Sequence, residues 1–179
     1  MNRASEHHLL GKRDTMAVKL AAITTEAQVE ALIPLVQEIW REWYSPIIGT
    51  TQVDYMLREF QSYQEIWRQV QGDVLYFFIE VNGQAVGYTA YELSEDRLFI
   101  SKLYLLASQR GQGYASQVFT WLEKQAIIQG KKILELHVNQ DNQQSIEVYE
   151  GRGFKNSHEL VSDIGEGFQM VDYVFEKQL

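Results

Sequence analysis

Cysteine is absent from the 179-residue chain, which removes disulfides, thiolate metal sites and cysteine nucleophiles together. Proline occurs only twice, at Pro34 and Pro46, so few positions force the backbone out of regular structure. No apolar run approaches the ~20 residues that a membrane-spanning helix needs. Positive charge is in deficit: 16 Lys and Arg stand against 24 Asp and Glu, a net charge of −8 with a pI near 5.0. A broad nucleic-acid footprint needs clustered Lys and Arg to neutralise phosphates, so neither nucleic acid nor membrane is expected as a partner. An acidic surface favours cationic partners instead, over a range that salt shortens. The first fifteen residues, MNRASEHHLLGKRDT, lack the apolar stretch of a secretory signal. Together with the missing cysteines, this leads us to expect a cytoplasmic location.

What is present is ordinary for a globular chain, with 45% hydrophobic and 22% charged residues, enough to bury a sizeable core. Residues 1–16 read as a flexible N-terminal tail and 17–179 as a single domain. His7 and His8 fall in the tail with no third ligand, so no metal site is expected there.

A first strand is expected over 18–24. Thr25 and Gln28 form a capping-box signature that opens a helix, with Val29, Leu32, Ile33, Val36, Ile39, Trp40 and Trp43 at helical spacing. Pro34 predicts either a kink or a division of the helix into two pieces, and the Ser45-Pro46 dipeptide predicts the helix end. A second helix is expected over 53–70. Strands over 74–81 and 84–93 flank Asn82-Gly83, a dipeptide favoured in two-residue type I′ turns, and a third strand follows over 97–106. Beyond it the pattern alternates: helix 113–129, strand 132–138, a short helix 142–151, then strands 154–163 and 168–177. The order β-α-α-β-β-β-α-β-α-β-β predicts a mixed α/β (α+β) fold with one central sheet flanked by helices.

The segment 103–154 carries the chemistry. An apolar strand (Leu103, Tyr104, Leu105, Leu106) runs into a turn containing Arg110, Gly111, Gln112, Gly113, Tyr114 and Ala115, and then into a helix. First-turn amides of a helix have no internal partners and carry partial positive charge. Small residues at Gly111, Gly113 and Ala115 let an anion approach, and Arg110 can add a formal charge, so the turn reads as a phosphate cradle. A Walker loop is excluded because Tyr114 follows Gly113 where Lys is required. A dinucleotide fingerprint fails because Ser116 stands where its third glycine belongs.

Arg110-x-x-Gly113-x-Ala115 after an apolar strand resembles the pyrophosphate-binding motif Q/R-x-x-G-x-G/A of GNAT acyltransferases. Asn139-x-x-Asn142-x-x-Ser145, followed by Tyr149 and Gly153-Phe154, resembles the second half of the same cofactor site. The resemblance implies an N-acetyltransferase using acetyl-CoA as co-substrate. It places the pantetheine arm between diverging fourth and fifth strands, paired with main-chain groups of Leu103 and Leu105, its amides bonded by Asn139 and Asn142. The pyrophosphate would rest on the amides of residues 110–115. Asn142, Ser145 and Tyr149 share one helical face, and Tyr149 is the expected proton donor to the departing thiolate.

A phenol near pKa 10 can protonate a thiolate whose acid lies near 8.5 when the two are in hydrogen-bond reach. The family often places a Glu on the fourth strand as base. Here that strand reads Arg97-Leu98-Phe99-Ile100-Ser101-Lys102 and has none, leaving a water chain, Glu92, Glu135 or His137 open. Direct transfer in a ternary complex to a primary amine is expected, since no nucleophile motif is present. Small amines or polyamines are favoured as acceptors; peptide or protein amines and aminoglycosides stay open. An idle acyl-CoA-binding module is the rival reading. A homodimer would be unsurprising.

Overall fold

The computed structural model describes residues 16–179; the tail expected over 1–16, His7 and His8 included, lies outside the described residues except for Met16. Seven strands form one sheet: β1 (Lys19–Ile23), β2 (Leu75–Val81), β3 (Gln84–Leu93), β4 (Arg97–Leu105), β5 (Ile133–Asn139), β6 (Lys155–Gly165) and β7 (Phe168–Gln178). Their order is β1-β2-β3-β4-β5-β7-β6. Every neighbouring pair is antiparallel except β4–β5. Among the described residues no helix is long and apolar enough to cross a membrane.

Three helices precede β2 where the periodicity predicts two: α1 (Glu26–Ile48), α2 (Thr50–Glu59) and α3 (Tyr63–Gln71). The expected capping box opens α1, with Thr25 Oγ1 accepting from Gln28 N (3.3 Å) and Gln28 Oε1 accepting from Thr25 N (3.0 Å). Pro46 does not end this helix. Both prolines lie on its exposed side, where water can take the carbonyls they leave unpaired, while Val29, Leu32, Val36, Ile39 and Trp40 anchor the buried side. The end comes at Gly49, whose φ of 88° turns the chain. The predicted helix over 53–70 breaks at residues 60–62, because Ser62 caps α3 by accepting from Glu65 N (3.3 Å). The Ser-x-x-Glu signature was present in the sequence and outweighs the continuous apolar stripe.

The Asn82-Gly83 turn has both residues at positive φ (52° and 74°), as a type I′ turn requires. In β4 a bulge at Ser101 changes the register: Lys102 pairs with Ala90 and Ile100 with Tyr91. An extra residue reverses which side chains face which layer. Leu98 and Ile100 before it, and Leu103 and Leu105 after it, all join the core under α4 (Tyr114–Ile128), with Val118, Phe119 and Leu122. Lys102 and Tyr104 turn to the opposite face, where α1, α2 and α3 enclose Leu32, Ile39, Ile66, Tyr76 and Tyr88. The sheet thus separates two cores, and α5 (Gln143–Gly151) adds a side wall to the first.

Candidate active site

β4 and β5 run parallel for four residue pairs, from Arg97↔Ile133 to Ile100↔Leu136, and then part. Each keeps its outer partner beyond that point: β4 pairs β3 as far as Leu105↔Gly87, and β5 pairs β7 as far as Asn139↔Asp172. Gly87 permits the close approach, since a Cβ there would lie 2.1 Å from Tyr104 O. The Leu106 amide donates to Val86 O (2.9 Å) and Lys102 O accepts from Thr89 Oγ1 (2.7 Å), so these residues face β3. Peptide groups alternate along a strand, so those of Leu103 and Leu105 face the gap. A cavity of about 390 Å³ fills it, walled by β4, His137 and Val138 of β5, the turn before α4, and α5.

The turn supplies donors. Leu105 is followed by one 3-10 turn, Ala107–Gln109, after which Gly111 and Gly113 adopt φ of 73° and 83°. Gly113 starts α4 with no side-chain cap. Among the described residues the amides of 111–116 have no hydrogen-bond partner. Orphan donors at a helix start attract anions. Gln112 stays out of the cavity wall and braces the turn, accepting from Tyr114 Oη (3.2 Å) and donating to Ser108 O (3.4 Å).

The Arg110 guanidinium does not stand free over the turn. It donates to Leu105 O through Nε (3.2 Å) and Nη2 (3.0 Å) and lies 4.3 Å from the centre of the Trp43 ring. Burial lowers its pKa, and Glu42 opposes that effect. Glu42 also accepts from Ala107 N (3.4 Å), so α1 holds the turn at two points. A second guanidinium reaches the first turn of α4: Arg152 Nη1 donates to Ser116 Oγ (3.0 Å), stacks over Phe119 (4.6 Å), and keeps Nε buried without a partner. Sequence reasoning passed over Arg152 because its only signal was proximity to Gly153-Phe154.

Asn142 is the N-cap of α5, its Oδ1 accepting from Ser145 N (3.3 Å). Asn142, Ser145 and Tyr149 all line the cavity. Asn139 does not; its Oδ1 closes the turn by accepting from Asp141 N (2.9 Å). The Tyr149 ring is held edge-on by Phe119, Phe154 and Phe175 at 5.8, 6.1 and 6.5 Å. Burial pushes its phenol up, with the Ser145 hydroxyl pulling the other way. The phenol therefore keeps its proton at neutral pH.

On the α1 face, Tyr44 and Tyr104 share a hydroxyl–hydroxyl bond of 3.0 Å beside Trp40, which donates to Tyr88 Oη (2.8 Å). Burial raises all three phenols. Of the bases left open, Glu135 is committed elsewhere. It accepts from Arg97 and sits 2.9 Å from His137 Nε2, and against the effect of burial these bonds hold its carboxyl low. His137 lines the cavity and packs on Phe99 at 4.6 Å. Glu92 lies in a separate cavity of about 330 Å³ with Lys102, whose ammonium burial lowers to about 8 while Nζ donates to Gln69 Oε1 (3.2 Å). Among the described residues no group of three His, Asp or Glu is placed to hold a metal.

Comparison with known proteins agrees with this architecture. The model of the Acetyltransferase (GNAT) family matches residues 33–154, and the chain belongs to that family. A curated relative, an uncharacterised N-acetyltransferase in the pepI 3′ region of Lactobacillus delbrueckii subsp. lactis, is 26% identical over 112 residues. The match spans 58% of this chain and 64% of that protein. Among solved structures, the PaiA N-acetyltransferase of Thermoplasma acidophilum, in complex with coenzyme A, superposes with a TM-score of 0.75 at 19% identity, covering 92% of this chain and all of that one. A GNAT acetyltransferase of Elizabethkingia anophelis with acetyl-CoA bound gives 0.62 at 11% identity, covering 93% and 100%. At such identities the likeness establishes the fold.

Proposed function

We propose that this chain transfers an acetyl group from acetyl-CoA to a primary amine, directly and within a ternary complex. The observation that carries this reading is one continuous cavity wall holding three things: the unpaired edge of β4, the uncapped start of α4 and the Tyr149 phenol. The residues suit the co-substrate. The main-chain groups of Leu103 and the N–H of Leu105 are offered to an extended amide-bearing arm, Leu105 O being held by Arg110. The free amides at 111–115 suit a diphosphate, the Arg110 amide being bonded to Ala107 O, with the Arg110 guanidinium acting through its grip on Leu105 O and Arg152 adding charge at Ser116. Asn142, whose Oδ1 is engaged as the α5 cap, offers its NH₂ as a donor in the wall, and Ser145 adds a hydroxyl. Asn139 acts by shaping the strand end, and Gln112 by bracing the turn.

Tyr149 serves as general acid. Attack on the thioester carbonyl forms the C–N bond and expels a thiolate, which takes the phenolic proton. The two complexed neighbours, one with coenzyme A and one with acetyl-CoA, support the choice of co-substrate. Small amines and polyamines are the favoured acceptors, given the net charge of −8 and the aromatic wall of Trp43, Tyr44 and Tyr104. Calorimetry with acetyl-CoA and thiol release over an amine panel, read by mass spectrometry for one added acetyl unit, tests the proposal. Tyr149→Phe should lower kcat by about 10²–10⁴ with acetyl-CoA affinity held within threefold on the order of experimental error. Tight binding with no thiol release from any amine would instead support an idle CoA-binding module.

A further inference from the structure

The wall of the cavity contains no free carboxylate, yet an amine arriving at neutral pH is an ammonium ion and must lose a proton before it can attack. A carboxylate without a partner among the described residues lies on the neighbouring strand, β7. Asp172 pairs with Asn139 of β5 and Leu160 of β6. Two residues along, Val174 pairs with His137, so the side chains of His137, Asn139 and Asp172 share one face of the sheet. That face is the α1 side: Phe168 and Met170 of the same strand pack with the α1–α3 core, while Tyr173 and Phe175 pack under α4. Asp172 therefore lies on the face of the sheet opposite α4, close to His137, which lines the cavity, and behind the wall rather than in it.

We propose that Asp172 binds the acceptor as its ammonium ion and takes the first of its protons, which deepens the acetyl-transfer reading and rests on it. Asp172 is half-buried and has no ion-pair or hydrogen-bond partner among the described residues. The charged and titratable groups around it are His137 from β5, Tyr44 from α1 and Tyr104 from β4, and β6 presents the apolar Leu160. Burial raises its carboxyl, with His137 pulling it back. A carboxylate so placed gains a counter-ion when an ammonium enters. It is also a stronger base than Glu135, which Arg97 and His137 hold in its ionised form. The step balances. An ammonium loses two protons on becoming an amide: the first goes to the Asp172 carboxylate and on to solvent, and the second ends on the CoA sulfur through Tyr149.

Asp172→Asn, isosteric and uncharged, separates this role from packing, and Asp172→Glu serves as the conservative rescue. The probes are butylamine, 1,4-diaminobutane and a tripeptide, added to protein saturated with CoA for calorimetry and with acetyl-CoA for turnover. The wild type should bind at least one probe, and Asp172→Asn should weaken that binding about tenfold or more, leaving acetyl-CoA affinity within twofold. At pH 7.5, kcat/KM for the amine should fall about 10²-fold. The deficit should shrink toward pH 10, where roughly a third of an alkylamine is already free base in solution, and Asp172→Glu should recover part of it. Turnover with Asp172→Asn unchanged overturns the Asp172 assignment and spares acetyl transfer. Amine binding that needs Asp172 but yields no thiol release upholds Asp172 as the ammonium site and overturns both its proton-accepting role and transfer. No amine binding by the wild type overturns the assignment.

Discussion

On its α4 side the cavity presents backbone: peptide groups of Leu103 and Leu105 and the amides of 111–116, all within one strand–turn–helix. On its α1 side it presents side chains, Tyr44 from α1, Tyr104 from β4 and His137 from β5, with Asp172 of β7 behind His137. In the proposed reaction the first region would meet a ligand whose shape does not vary, for which local geometry suffices. The second would meet the acceptor, and it is assembled from elements far apart in sequence. Bulged β4 serves both: its peptide edge is given to one region and its Lys102 and Tyr104 side chains to the other.

Substitutions can be aimed at one region at a time. The largest effect on acetyl-CoA affinity is expected from Gly113→Val. With φ at 83°, a β-branched residue there is strained by about 1–2 kcal/mol or more. Acetyl-CoA should bind tenfold or more weakly, since ~1.4 kcal/mol is a factor of ten. Calorimetry showing affinity within twofold of wild type would break the backbone account.

Lys102→Met should alter stability and leave acetyl-CoA affinity unchanged, because the side chain lies on the opposite face from α4. The buried ammonium is lowered to about 8 from an unfolded value of 10.5. Between these values the unfolded chain binds the extra proton, so stability rises with pH there, and the burial penalty is fully present below about 8. The substitution should therefore stabilise by about 1–3 kcal/mol at pH 7, with the gain shrinking between pH 8 and 10.5. Urea melts at pH 7 and pH 10 measure this, and an equal gain at both would contradict it.

The smallest effect is expected from Tyr44→Phe, which removes one hydroxyl pair and costs about 1 kcal/mol. The amine KM should rise severalfold with acetyl-CoA affinity constant. A loss of acetyl-CoA affinity instead would show that the two regions are not separable.

The legible parts of this chain are those whose cause is local. The capping box at Thr25, the Asn82-Gly83 turn and the glycine turn before α4 each depend on a few adjacent residues, and each was readable. Pro46 misled because the rule that it ends a helix assumes that the lost hydrogen bond matters; on an exposed face it does not. The break at Ser62 was misread because an apolar stripe continues across it. Arg110 was readable as a charge, but not as a clasp on Leu105 O and the Trp43 ring. Arg152 and Asp172 carried no local signal at all.

The sequence by itself determined the elements, the strand–turn–helix and the family resemblance, since these arise from spacing along the chain and from backbone preferences of single residues. Only the tertiary structure decided where β4 and β5 part, which way the bulge at Ser101 turns Lys102, and which carboxylate lies near the gap. Those outcomes depend on sheet order and register, and contacts such as Asn139↔Asp172 or Tyr44 with Tyr104 join residues whose separation along the chain carries no periodic trace.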